Sequence, residues 1–339
     1  AAIHGVLGLI NSTPFSPRSE REEMVRLLQE MAGASLAAVR PAQEADMSEL
    51  RDDDDGAAAA RLGRLRSLLF APATNEAVMR KIGTRGADAV VIDCEDATPP
   101  HLKEAAREAA RTLAPVLTAE GTVVTVRVNA PSSEWFTDDI AEALTPAVAA
   151  VVVPKIERVD EIDHLARLLD AAGLPELGVI AGIETALGVA DARHLLAHPR
   201  IVAGYFGAED FIADMGGRRT VGNAEVAHAR GQVALAGRLA GVPLLDQVVT
   251  DFSDDERFLA EAGEAYSMGY AGKLCIHPRQ VELANGAFQP SPEEVARAER
   301  LLAAYDQAKA EGRGAIAFEG HMVDEPLAAQ AQRIIDQSR

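Results

Sequence analysis

The chain has 339 residues, 48% of them apolar and only 4% aromatic, with 52 acidic against 33 basic side chains and a formal charge of −19. Nucleic-acid binding needs a basic face to displace counterions, so this balance excludes nucleic acid as a partner. No stretch reaches the roughly 18 apolar residues of a membrane span, which excludes a membrane protein of that kind.

Residues 1–60 differ in texture from the rest. Glu20 to Met31 has the spacing of an amphipathic helix, and the run Asp52-Asp53-Asp54-Asp55-Gly56 reads as a solvated linker, because adjacent carboxylates repel one another. We therefore expect an N-terminal extension, partly a disordered linker, over 1–60.

From Arg66 onward short apolar runs recur, each followed by Gly, Pro or charge and then by a helical pattern. The runs are Ser67–Pro72, Ala87–Cys94, Thr122–Asn129, Val148–Ile156, Leu177–Ile183, Ile201–Ala208, Val242–Val249 and Lys273–His277. They are apolar nearly throughout rather than alternating, which predicts parallel strands buried on both faces. Lys103–Leu117, Asp160–Ala172 and Asn223–Ala240 suit helices between them. Eight such units predict an α/β protein of (β/α)8 TIM-barrel type over 64–289. A doubly wound open sheet is the alternative, but Ala71-Pro72-Ala73-Thr74 is not the Gly-rich first turn it usually shows.

The tail, 290–339, reads as a C-terminal helix and lid extension. Ser291 is an N-cap candidate ahead of Pro292, with a helix to Ala310. After Gly312 and Gly314 comes a short apolar stretch, then a last helix over Leu327–Gln337. Cys94 and Cys275 each sit inside a strand-like run, as buried thiols of a reducing, cytoplasmic compartment do.

In a TIM barrel the chemistry collects at the C-terminal strand ends. Here those ends carry Asp93, Glu95 and Asp96, then Arg127 and Asn129, then Lys155 and Glu157, then Glu184, then Glu209 and Asp210, then His277. Several carboxylates in one pocket need a cation, and oxygen ligands without clustered His or Cys point to Mg²⁺. Glu184 and Asp210, on neighbouring strands, are the chosen ligands, with Asp93, Glu95 and Asp96 behind them. The competing reading is a salt-bridge ring in which these acids pair with Arg127, Lys155 and Arg66. His277, before Pro278, either shapes its loop or touches substrate.

Arg66-Ser67-Leu68-Leu69-Phe70-Ala71-Pro72, Val91-Ile92-Asp93-Cys94-Glu95-Asp96, Arg127-Val128-Asn129, Val153-Pro154-Lys155, Ile183-Glu184-Thr185, Gly207-Ala208-Glu209-Asp210 and Cys275-Ile276-His277-Pro278 together resemble the HpcH/HpaI aldolase and citrate lyase β-subunit family, from about Arg66 to Gln337. The stretch Phe318 to Leu327 is similar to the C-terminal lid of malyl-CoA and citramalyl-CoA lyases. The resemblance implies that Glu184 and Asp210 bind Mg²⁺ and that Arg127 contacts substrate carbonyl or carboxylate. It places Phe70, Arg80 and Lys81 at coenzyme A, and sets Ile276 and His277 beside the substrate. Relatives usually carry Pro-Gly after the first strand, where this chain has Pro72-Ala73, and often a basic residue where it has Ala77. In lid-bearing relatives an acidic residue completes a neighbouring subunit's site, and Asp324 matches it. The implied activity is reversible Claisen or aldol cleavage of a β-hydroxyacyl-CoA to an acyl-CoA and a small α-keto acid, by a homotrimer or hexamer. A malyl-CoA-type thioesterase and a non-catalytic acyl-CoA-binding subunit are the alternatives. Asp324 has a plain reading too, as the cap of the last helix.

Overall fold

The computed structural model describes Leu62 and residues 65–338. The expected extension over 1–60, with its helix and acidic linker, lies outside them. Eight strands follow in chain order: β1 (Ser67–Pro72), β2 (Ala89–Asp93), β3 (Val124–Arg127), β4 (Ala150–Val153), β5 (Gly178–Ile183), β6 (Ile201–Phe206), β7 (Leu244–Asp246) and β8 (Gly272–Cys275). All pair in parallel, and β1 closes onto β8 through Ser67↔Lys273 and Leu69↔Cys275, giving the expected closed barrel. Between the strands run α1 (Glu76–Ile82), α2 (Lys103–Ala119), α3 (Phe136–Ala143), α4 (Val159–Ala171), α5 (Ala186–Leu196), α6 (Ala208–Asp214), α7 (Ala227–Ala240) and α8 (Asp255–Met268), and α9 (Pro278–Ala287) follows β8.

Strand side chains alternate between two apolar compartments, as period-2 geometry requires. Val90 and Ile92, Val124 and Val126, Val151 and Val153, and Val179 and Ala181 belong to the outer core with the helices. Leu68, Val91, Val152, Ile180, Ala203, Leu245 and Leu274 fill the barrel interior. Continuing the inward series by two residues reaches Phe70, Asp93, Tyr205 and Ile276, and by four residues on β5 reaches Glu184. The sheet's pleat therefore turns the interior series from apolar to polar at its C-terminal rim.

Outside the interior, β7, β8, α7 and α8 enclose a buried ionic group. Arg230 chelates Asp246 at 2.7 and 2.9 Å, and Lys273 Nζ lies 2.7 Å from Asp246 and 3.4 Å from Glu261.

Beyond the barrel, α10 (Pro292–Ala310) starts on a capping box in which Ser291 and Glu294 exchange hydrogen bonds. The apolar stretch after Gly314 folds as an antiparallel hairpin, β9 (Ile316–Phe318) and β10 (His321–Val323), followed by α11 (Glu325–Ser338). Leu301, Tyr305, Val323, Ala328, Ala331 and Ile335 make an apolar cluster separate from both barrel compartments. Tyr266 on α8 bonds to Gln337 at 3.1 Å and ties the tail to the barrel. Among the described residues no helix is long and apolar enough to cross a membrane.

Candidate active site

A cavity of about 440 Å³ opens at the C-terminal rim, lined by Phe70, Asp93, Asp96, Arg127, Glu184 and Asp210 among others. Arg127, at the end of β3, is the best-held group in it. Its Nε and Nη2 donate to the two Asp93 oxygens at 2.8 and 2.7 Å, and its guanidinium lies 5.1 Å from the Phe70 ring centroid. Both charge and plane are fixed, because a bidentate carboxylate clamp and a ring face each demand one orientation. Burial alone would disfavour the guanidinium charge, and Asp93 overcomes it, so Arg127 stays above its ordinary range.

Glu184 is 2% exposed. The Lys155 backbone N–H donates to its Oε1 at 2.9 Å and the Tyr205 hydroxyl lies 3.4 Å from the same atom. Oε2 faces Gly207, where a Cβ would stand 2.2 Å away, so only glycine lets the carboxylate lie as it does. Burial, reinforced by the charge of Asp210, pushes the Glu184 carboxyl up to about 8. Asp210 comes from the first turn of α6.

Glu95 lies buried beneath these groups. Its Oε1 accepts from Lys155 Nζ at 2.6 Å, while Oε2 is 2.9 Å from Arg127 Nη1 without hydrogen-bond geometry. It is the one buried side-chain oxygen without a hydrogen bond among the described residues. Burial pushes its carboxyl above the ordinary range against the pull of Arg127 and Lys155. The loop that carries it is pinned from below, since Lys103 Nζ donates to the carbonyls of Cys94 and Glu95, each at 2.8 Å, and to Asn129 Oδ1 at 2.7 Å.

The expected site residues separate into groups. Phe70, Asp93, Asp96, Arg127, Glu184, Asp210 and Ile276 line one cavity, and Glu95 backs it. Arg80 and Lys81 lie in the last turn of α1 and do not line it. His277 caps α9, accepting from the Arg279 N–H at 3.2 Å and stacking on Phe252 at 5.2 Å, which is the loop-shaping role. Asp324 precedes α11, its carbonyl accepting from the Ala328 N–H, and does not line the cavity of its own chain. The salt-bridge ring exists in part. Arg127 and Lys155 pair with these acids, but Arg66 pairs instead with Asp88, just ahead of β2, at 2.7 Å. Glu157 does not line the cavity, and its backbone N–H donates to Glu161 Oε2 of α4, 2.9 Å away.

Tyr205 was not among the expected residues, though it lines the cavity and meets Phe70 edge-on at 6.5 Å. Its signal was a hydroxyl-bearing side chain in an otherwise apolar strand, Ile201-Val202-Ala203-Gly204-Tyr205-Phe206. Burial, with Glu184 close by, lifts its phenol well above the usual range, so it remains a neutral donor.

Among the described residues no group of three or more His, Cys, Asp or Glu side chains gathers as a metal cage. Mg²⁺ does not need one, since it usually takes one or two carboxylates and completes its shell with water and substrate oxygens. An all-oxygen pair with one carboxyl lifted by the other's charge fits that ion.

The sequence profile of the HpcH/HpaI aldolase/citrate lyase family matches residues 66–278. The chain belongs to the HpcH/HpaI aldolase/citrate lyase family. It is 47% identical over 277 residues to the citrate lyase subunit beta-like protein of Deinococcus radiodurans, covering 80% of this chain and 96% of that one. It is 34% identical over 260 residues to a (3S)-malyl-CoA thioesterase of Cereibacter sphaeroides, covering 76% and 89%. Among solved structures it is similar to protein CitE of Mycobacterium tuberculosis in complex with magnesium, acetoacetate and coenzyme A, with a TM-score of 0.70, 33% identity, and coverage of 82% and 99%. The family carries lyases, and the rim cavity stands at the C-terminal strand ends, the face at which TIM-barrel enzymes in general build their active sites.

Proposed function

We propose that this chain is a Mg²⁺-dependent carbon–carbon lyase acting on a β-hydroxyacyl-CoA such as malyl-, citramalyl- or citryl-CoA, yielding an acyl-CoA and an α-keto acid. The observation that carries the reading is that Arg127, clamped by Asp93, shares one cavity with the buried carboxyl of Glu184 and the half-buried carboxylate of Asp210. Magnesium, ligand of the similar CitE structure, would be held by Glu184 and Asp210 and would supply Lewis acidity and a template for the α-oxygen and carboxylate of the keto acid.

The protein's own groups supply the rest. Cleavage removes the hydroxyl proton, breaks the bond between the hydroxyl-bearing carbon and the carbon next to the thioester, and moves that electron pair toward the thioester carbonyl. The new enolate is then protonated on carbon. Arg127 stabilises the enolate oxygen, and because Asp93 already fixes its plane, no reorganisation accompanies the step. Asp324, absent from its own chain's cavity, is assigned as the proton-transfer group in a neighbouring subunit's pocket, in a trimer or hexamer. Phe70 and Ile276 give apolar contact to the acyl chain. Arg80 and Lys81 face coenzyme A at the outer rim, and His277 supports that rim. The catalytic barrel is assigned to 64–289 and the lid to 290–339, in a cytoplasmic enzyme.

The similar thioesterase gives a second reading, in which the same site directs water at the thioester. Product analysis with malyl-, citramalyl- and citryl-CoA decides between them. A keto acid and an acyl-CoA appear together for a lyase, whereas free CoA and an intact hydroxy acid mark the thioesterase. For Asp324, inactive Asp324→Asn and Glu184→Ala subunits are mixed and exchanged. Recovered activity is expected, and none despite proven exchange defeats the assignment in trans.

A further inference from the structure

Lys155 touches both residues assigned to the cation, one through its backbone and one through its side chain. It follows β4 in a left-handed conformation, φ 53°, which a lysine rarely adopts. The bend is enforced by its surroundings. Pro154 packs on Gly182 of β5, where a Cβ would lie 3.0 Å from Pro154 Cα, and the Ile156 N–H donates to the Gly182 carbonyl at 3.2 Å. The left-handed turn aims the Lys155 N–H at Glu184 Oε1, 2.9 Å away. The side chain then crosses the acidic cluster, with Nζ 2.6 Å from Glu95, 3.4 Å from Asp96 and 3.4 Å from Asp210.

These two contacts have opposite consequences for a divalent cation. The amide fixes a ligand by one of its oxygens, Oε1. The ammonium is a positive charge at the second ligand, and it opposes a cation arriving there. Burial works against that ammonium, and Glu95, then Asp210 and Glu184, hold it charged, above the ordinary lysine range. Its contact with Asp210 is long, and the Asp210 side chain is 37% exposed, so the ammonium does little to place that carboxylate. Its charge is therefore the larger effect.

We propose that Lys155 is a positioning residue that acts in two ways. Its amide orients Glu184 for the cation, while its ammonium occupies the carboxylate cluster and weakens Mg²⁺ binding in the substrate-free pocket. The anionic keto acid then supplies the charge that makes Mg²⁺ binding strong, which couples metal to substrate. The inference rests on the assignment of Glu184 and Asp210 as cation ligands.

Calorimetric titration of the full chain with MgCl₂, without substrate, separates the two effects. The amide survives every side-chain substitution, so Lys155→Met and Lys155→Gln keep it while removing the charge together with the hydrogen bond to Glu95. Both are expected to bind Mg²⁺ on the order of tenfold more tightly. Lys155→Arg restores the charge and is expected to return the affinity to within about twofold of wild type, which a packing role would not produce. Glu184→Gln is expected to lose binding. Thermal melts identify folded variants, and either neutral variant suffices. Unchanged or weaker binding in a folded neutral variant, with wild type binding normally, overturns the role of Lys155 alone. Wild type that takes up no Mg²⁺, like Glu184→Gln, defeats the cation assignment and this inference with it.

Discussion

Arg230, Asp246, Lys273 and Glu261 are buried between the barrel wall and its helices, while Asp93, Glu95, Arg127, Lys155, Glu184 and Asp210 crowd the rim. The wall cluster is balanced. Arg230, Lys273 and Arg257 face Asp246, Glu261 and Glu264, and Gln247 donates to Glu261 at 3.1 Å. The rim cluster is not balanced. Among the described residues, the ion pairs that Asp93, Glu95, Asp96 and Asp210 make are with Arg127 and Lys155 alone, beside the buried Glu184. The carboxyls respond accordingly. Burial raises Glu184 to about 8, whereas for Glu261 burial is overcome by Lys273 and Arg257 and the carboxyl is held low. A buried network that closes its own charge serves the fold, and one left short of positive charge is prepared for something that arrives later.

Glu184→Gln tests the rim side of this contrast most strongly. Loss of an assigned metal ligand should cut turnover by on the order of a thousandfold, about 4 kcal/mol in the barrier. The melting temperature should hold or rise, since the variant removes a carboxylate the fold keeps against burial and Asp210. A marked drop in melting temperature would class Glu184 with the wall cluster.

At the wall, Lys273→Met leaves Asp246 and Glu261 short of their counter-charge in a dry site. We expect about 3–5 kcal/mol of lost stability by urea unfolding, with kcat of the remaining folded protein little changed. A variant as stable as wild type would show that the cluster contributes nothing to the fold.

Arg127→Lys keeps the charge but loses the fork that fits Asp93. A fall in kcat/KM on the order of a hundredfold, about 2.7 kcal/mol, is expected from steady-state kinetics. A near-normal rate would show that charge alone suffices there.

The smallest effect is the pH response of the wall. The folded pKa of Glu261 is depressed, so its contribution is fully present above the unfolded value of about 4.3 and is lost as pH falls through the lower folded value. Glu261→Gln should therefore flatten the acid limb of the stability curve, measured by denaturant midpoints from pH 6 to 3. An acid limb identical to wild type would place the response elsewhere.

Much of the barrel was legible because its strands are buried on both faces and read as uninterrupted apolar runs. Ser67–Pro72 was met at both ends. Val242–Val249 shrank to Leu244–Asp246, because Asp246 and Gln247 turn into the polar wall cluster instead of extending the ladder. Asn223–Ala240 lost its first turn, since Asn223 is left-handed and its side chain is committed to Arg219 and Gln247. At the site, strand ends revealed Asp93, Arg127, Glu184 and Asp210 by position. Nothing in a Pro-Lys-Ile sequence announces a left-handed lysine, because the enforcing contacts come from Gly182 and its strand, almost thirty residues away. Tyr205 was hidden for the opposite reason, since an aromatic in an apolar strand looks like core until the barrel's taper places it at the rim.

The tail packs on an apolar cluster of its own, with Leu301, Tyr305, Val323 and Ile335 sharing no compartment with the barrel. Side chains that do not interlock place no steric demand on one another. Apart from the Tyr266–Gln337 hydrogen bond, the two cores are packed independently, so they can drift at separate rates. A lineage can reshape or lengthen the tail without re-cutting the barrel core, so the two cores are inherited as separable parts of one chain.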